Sequence, residues 1–100
     1  MEGIEKKKEK RYSNDAVIDM LIATYPGAIT VEDGLVNFDD TCDNFTEIIM
    51  EKFEPGRQKY YFAREFEGYN DCKRYVRNEL QRLLERCQEF VDEHPDKFDD

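Results

Sequence analysis

The sequence predicts an α+β fold in one small domain: an N-terminal helix, a β-hairpin open to extension by a third strand, a middle helix and a long C-terminal helix. Three observations carry that reading. Asp33-Gly34 stands between two runs of β-prone residues, AITVE and LVNF. Apolar residues recur at helical spacing from Val76 to Val91, and 100 residues with 39% apolar and 13% aromatic content suffice for one core but not for two. A chain of this length buries about 65% of its unfolded surface.

Residues 1–12, MEGIEKKKEKRY, are poor in apolar side chains and rich in Lys and Glu, and read as a charged, flexible tail. Ser13 or Asn14 then caps a helix whose stripe is Val17, Leu21 and Thr24, widened by Ile18, Met20, Ile22 and Tyr25. Pro26-Gly27 stops it. In the hairpin, a two-residue turn pairs Glu32 with Leu35, Val31 with Val36, Thr30 with Asn37 and Ile29 with Phe38. That register gathers Ile29, Val31, Val36 and Phe38 on one face, which needs helices or a third strand to cover it.

Asn44-Phe-Thr-Glu47 has the pattern of a capping box and predicts a helix with Phe45, Ile48, Ile49 and Phe53 inward, ending before Pro55-Gly56. Residues 59–66, KYYFAREF, read either as the third strand, with Tyr60, Phe62 and Phe66 alternating, or as a short helix. From Asn70-Asp71, the positions Val76, Leu80, Leu83, Cys87 and Phe90 predict one continuous helix to about residue 93, the domain running from 13 to 94 and an acidic tail filling 95–100. Tyr69, Val76, Leu83 and Phe90 also repeat every seven residues, which suits a homodimer seam through this helix, although a core-facing helix gives the same pattern and is preferred.

The formal charge of −9 is unevenly spread. Residues 1–11 carry five bases and three acids, residues 12–56 one base and ten acids, and residues 57–100 nine bases and eleven acids. The chain has no apolar run long enough for a membrane span and no apolar stretch behind its basic start, so a cytoplasmic protein is expected. Cys42, Cys72 and Cys87 lack metal or redox spacing; on one straight helix the last two would stand about 22 Å apart, beyond a disulfide. They read as buried apolar fillers.

Catalytic and metal chemistry find little to use. Asp39, Thr41 and Asp43 fall at the first, third and fifth positions of a calcium loop, but Asn44 stands where the loop needs glycine and Met50 where it needs a bidentate glutamate. Ser13 and His94 are the one serine and the one histidine and lie at opposite ends of the chain. Neither a zinc set nor a glycine-rich phosphate loop is present. The expectation is therefore a non-enzymatic protein with no cofactor and no metal.

Two binding surfaces are candidates. Glu32, Asp33, Asp39, Asp40 and Asp43 form an acidic set suited to a protein partner with a basic surface. Tyr60, Arg64, Lys73, Arg74 and Arg77 form a basic-aromatic set within residues 57–77. Lys73, Arg74 and Arg77 sit at the positive end of their own helix dipole and Glu89, Asp92 and Glu93 at its negative end, an unfavourable arrangement that asks for compensation. Either the bases pair with acids of residues 39–54, or they form a separate contact patch.

In size and charge the chain resembles small acidic proteins of phages and mobile elements, including anti-CRISPR proteins and other DNA mimics; the resemblance is one of composition and covers no motif. It implies a non-catalytic inhibitor that presents carboxylates to the nucleic-acid-binding groove of a protein partner. The alternative is a dimeric nucleic-acid-associated regulator using residues 57–77. Direct binding to nucleic acid is not expected, because the acidic middle opposes phosphate contact.

Overall fold

The computed structural model describes residues 12–98, so the first eleven residues of the proposed tail and the last two of the chain lie outside the described region. The first helix, α1 (Asn14–Thr24), starts where Ser13 supplies a cap: its hydroxyl accepts the Ala16 N–H at 3.1 Å. Val17, Ile18, Leu21 and Ile22 are buried, whereas Thr24, placed on the same stripe by spacing, is exposed. Tyr25 closes the helix on the Leu21 carbonyl, and Pro26–Ala28 continue as a 3₁₀ turn.

The hairpin has the expected register. Strands β1 (Val31–Glu32) and β2 (Leu35–Val36) pair antiparallel, Val31 with Val36 and Glu32 with Leu35. Asp33 and Gly34 both have positive φ, 54° and 81°, as a mirror-image turn between right-twisted strands requires. The Asn37 N–H reaches the Thr30 carbonyl at 2.7 Å, and there the ladder stops.

Phe38 is not a strand residue. It opens α2 (Phe38–Lys52), and Asn37, not Asn44, is the cap: the Asn37 side chain accepts the Asp40 N–H at 3.0 Å. The capping box at Asn44 and Glu47 is thus corrected. Asn44 lies in mid-helix and turns its amide outward to the Ala28 carbonyl (3.0 Å) and the Thr30 hydroxyl (3.2 Å). Asn37 wins because starting there places Asp39 and Asp40 in the first turn, where the dipole favours acids. The helix buries Cys42, Phe45 and Ile49 along one ridge, continued by Phe53.

Residues 59–66 form no strand. Pro55 begins a short helix, α3 (Pro55–Phe62), which ends at Ala63 in the left-handed region, φ 67°. Phe62 and Phe66 enter the core and Tyr60 stays exposed. Buried Gln58 fastens the turn that follows, donating to the Phe53 carbonyl at 2.8 Å and accepting the Phe66 N–H at 2.9 Å.

The long C-terminal helix is two helices, α4 (Tyr69–Arg82) and α5 (Leu84–Glu93), broken at Leu83, where φ is −111° and ψ 24°. Neither proline nor glycine causes the break. α4 packs across α2 and α1, while α5 packs on β2 and on a final 3₁₀ turn, Pro95–Phe98, so the break re-aims one apolar stripe at two different supports. The residues of the seven-residue repeat Val76 and Leu83, with Leu80 and Cys87, are buried within the single chain.

The third strand that the hairpin lacks is replaced by one side chain. Gln88 of α5 accepts the Val36 N–H at 3.0 Å and donates to the Gly34 carbonyl at 2.8 Å. Its amide thus takes the ladder position a neighbouring strand would fill. Among the described residues the architecture is five helices and a two-stranded sheet around one core, α+β in content but dominated by helix. No helix among them is long and apolar enough to cross a membrane.

Candidate functional site

The acidic set and the basic set proposed from sequence meet each other. Lys73 Nζ stands 2.9 Å from Asp43 Oδ1, and Arg77 donates to Asp39 Oδ1 at 2.9 Å, so two acids at i, i+4 on α2 face two bases at i, i+4 on α4. Asp43 Oδ1 has no accessible surface, and Lys73 is its ion-pair partner. The Asp43 carboxylate, as acceptor and as charge, raises the Lys73 ammonium above its ordinary value; Asp39 does the same for Arg77. The opposed dipole expected of one long helix does not arise: broken at Leu83, α4 carries Asp71 in its first turn and Arg82 in its last, the favourable order, and its bases Lys73 and Arg77 pair with the acids of α2.

Arg64 and Arg74 turn elsewhere. Both reach Asp71, Arg74 at 3.5 Å, and Arg64 also lies over the Phe66 ring at 4.8 Å. The Glu67 N–H and then the Arg64 guanidinium hold the Asp71 carboxyl below the usual carboxylate range. Tyr60 is exposed and packs edge-on to Tyr12 (5.9 Å) and Tyr61 (5.1 Å). Tyr12, assigned to the tail by sequence, stacks on Tyr61 at 5.4 Å.

A second ion-pair set joins α1 to the α4–α5 junction. Arg82 contacts Asp15 and Glu79, each at 2.6 Å, and Arg86 contacts Asp19 at 2.7 Å and Asp15 at 3.9 Å. Of the ten acids in residues 12–56, these pairs occupy Asp15, Asp19, Asp39 and Asp43. Glu32, Asp33, Asp40, Glu47, Glu51 and Glu54 have no ion-pair partner among the described residues, and all six are exposed.

Three of those free acids share a stripe of α2. Asp40, Glu47 and Glu51, with Asn44 between the first two, follow steps of four, three and four, which align on one helical face over about 16 Å. Glu32 joins the N-terminal end of this face, its carboxylate accepting from the Asn37 side chain at 3.3 Å. Asp33 sits at the hairpin tip. Beside Glu47 and Glu51 runs an open groove of about 480 Å³, bounded by Tyr25, Pro26 and Ala28 on one wall and Ile48 on the other.

Glu47 and Glu51 were absent from the acidic set inferred from sequence. Glu47 reads from sequence as half of a capping box, and Glu51 is given no role there. The signal that finds them is the 40–44–47–51 spacing, legible only when the helix starts at Phe38.

The chemical alternatives have structural counterparts. Thr41, the third position of the calcium loop, is buried and its hydroxyl accepts the Thr30 N–H at 3.0 Å. No group of three or more His, Cys, Asp or Glu side chains among the described residues is disposed to hold a metal ion. Ser13 is a helix cap, and His94 rests on the Phe90 ring at 4.3 Å with Nδ1 at 2.9 Å from the Phe90 carbonyl. The three cysteines are free and buried, and burial pushes their thiols up, Cys42 and Cys72 to about 12 and Cys87 to about 11. They are poor nucleophiles in the folded chain.

No protein-family model, no curated protein and no solved structure matches the chain.

Proposed function

We propose that this chain is a small, non-catalytic cytoplasmic protein that binds, and thereby inhibits, a protein partner through that partner's basic, nucleic-acid-binding surface, as anti-CRISPR proteins and other DNA mimics of phages do. The observation that supports it is the segregation of charge on α2. Asp39 and Asp43 are neutralised within the fold, while Asp40, Glu47 and Glu51 stand exposed on the adjacent face with no ion-pair partner among the described residues. Carboxylates on a helix anchored by its own core ridge are held before binding, which keeps the ordering cost of association low. Unpaired surface carboxylates also steer a basic partner at low salt.

The acidic contact set is therefore Asp40, Glu47 and Glu51, with Glu32 and Asp33 at the hairpin end. The regulator reading through residues 57–77 has weaker support, since Lys59, Arg64, Lys73 and Arg77 are engaged with Glu65, Asp71, Asp43 and Asp39.

The test is capture from cells of the native host, with wild-type protein and a D40N/E47Q/E51Q variant as parallel baits and mass spectrometry as readout. A nucleic-acid-binding protein held by wild type, lost from the variant and displaced by added duplex DNA or RNA is the expected result. A mobility shift of DNA or RNA by the protein itself at moderate salt overturns the proposal in favour of the regulator reading.

A further inference from the structure

The groove beside Glu47 and Glu51 has a chemistry more specific than acidity. Its charged side-chain groups, Glu47 and Glu51, are both acceptors. Glu47 and Glu51 are exposed on one edge, one helical turn apart. Asn44 commits its NH₂ group to Ala28 O and Thr30 Oγ1, which leaves its carbonyl oxygen as the free end. The Ala28 carbonyl can only accept, so this orientation of the amide is fixed by chemistry.

A second source of negative potential is independent of the carboxylates. α1 ends at the groove, and Thr24, Tyr25 and Pro26 line it. The residue that would close on the Ile22 carbonyl is Pro26, which has no N–H, so beyond the Leu21 carbonyl that Tyr25 closes the helix ends without its next intrahelical bond. No basic residue sits in that turn to complement the dipole. The walls between these acceptors are flat and apolar: the Tyr25 ring, the Pro26 ring and Ile48.

We propose that this groove receives a single arginine side chain of the partner protein, its stem and planar face against Tyr25, Pro26 and Ile48 and its guanidinium toward Glu47, Glu51 and the end of α1. The inference rests on the partner reading above and names the group that is recognised. A guanidinium presents five donors in a plane and stacks on an aromatic face; a lysine ammonium offers three donors at a point and is more strongly hydrated. A groove whose charged groups are two carboxylates beside an aromatic wall therefore favours arginine over lysine.

Gly27 gives a clean test. It lines the groove, its backbone is not in the left-handed region, and a Cβ there meets no atom within 4 Å, so G27W fills the space and leaves every carboxylate in place. ¹⁵N-labelled protein is titrated at low salt with the blocked peptides Ac-Gly-Arg-Gly-NH₂ and Ac-Gly-Lys-Gly-NH₂. The arginine peptide is expected to shift the amides of Thr24, Gly27, Asn44 and Glu47 saturably, several-fold more tightly than the lysine peptide. The same titration is expected to fail on G27W and on E47Q/E51Q.

Equal response to both peptides, shifts spread over every surface acid, or a full response from G27W each overturns the arginine site. Two results separate this proposal from the partner reading. If G27W captures the partner as wild type does while D40N/E47Q/E51Q does not, the acidic face stands and the groove falls. Capture that survives D40N/E47Q/E51Q instead refutes the partner reading, whatever the peptides show.

Discussion

Two faces of α2 carry the same kind of residue and differ in everything that matters for binding. Asp39 and Asp43 look toward α4, where Arg77 and Lys73 meet them, and Asp43 Oδ1 is sealed from solvent. Asp40, Glu47 and Glu51, about a quarter-turn round the helix, meet no base at all among the described residues. Formal charge counts all five alike. The lesson is that local charge density in a sequence measures how acidic a surface could be, and packing decides how much of it stays available.

Both faces hang on the ridge of Cys42, Phe45, Ile49 and Phe53, so removing the ridge should disturb both together. Ile49→Ala, at a fully buried position, is expected to cost about 2–5 kcal/mol, read from urea unfolding. A loss far smaller would mean that α2 is not held by this ridge and that neither face is preorganised. Next in size is Gln88→Ala, which strips the amide from Val36 N–H and Gly34 C=O and should cost about 1 kcal/mol with faster hydrogen exchange at Val36. It loosens the hairpin that carries Glu32 and Asp33, not the paired face.

Alkaline pH probes the ridge without mutation. The folded thiols lie above their ordinary 9.0, Cys87 at about 11 and Cys42 and Cys72 at about 12. A raised folded value means that the thiols' contribution is fully present below pH 9.0 and drains away as pH climbs toward 11–12. The Lys73–Asp43 pair outlasts the start of this loss, because Lys73 is raised above its own ordinary 10.5. Melting temperature should therefore begin to fall just above pH 9.0, and Cys87→Ala should flatten part of that slope relative to its own value at neutral pH.

The paired face is separated from the open one by charge reversal. Arg77→Glu, which sets two carboxylates together at Asp39, should lower the melting temperature more than Arg74→Glu, because Arg74 is exposed and makes only a 3.5 Å contact with Asp71. Equal effects would mean the cross-helix pair adds nothing, as many surface pairs do. The smallest stability effect is expected on the open face: D40N/E47Q/E51Q should stay within about 0.5 kcal/mol of wild type while abolishing partner capture.

Several elements were legible because their signals are local. Ser13 capped its helix, and Asp33-Gly34 fixed both turn and register, since a two-residue turn with alternating apolar neighbours leaves one pairing. One expected cap failed, and another segment left two readings open. Asn37 and Asn44 are both competent caps seven residues apart; starting at Asn37 puts Asp39 and Asp40 in the first turn, and Asn44 then bonds Ala28 and Thr30, which are distant in sequence. KYYFAREF alternates like a strand, yet Pro55 at the first helical position and the buried Gln58 amide hold it as a helix and a turn. The break at Leu83 has no proline or glycine to announce it.

By itself, then, the sequence determined the coarse fold class of helices with one hairpin, the register of that hairpin, the first helix and the apolar spacing of the last third, because each depends on propensity and periodicity within a few residues. Tertiary structure alone decided where α2 begins, that Gln88 stands in for a third strand, and which carboxylates keep their charge facing water. The reason is one of range. A cap or a turn is settled by neighbours along the chain, but an ion pair between Asp39 and Arg77 joins residues 38 positions apart and exists only after the helices that carry them have packed.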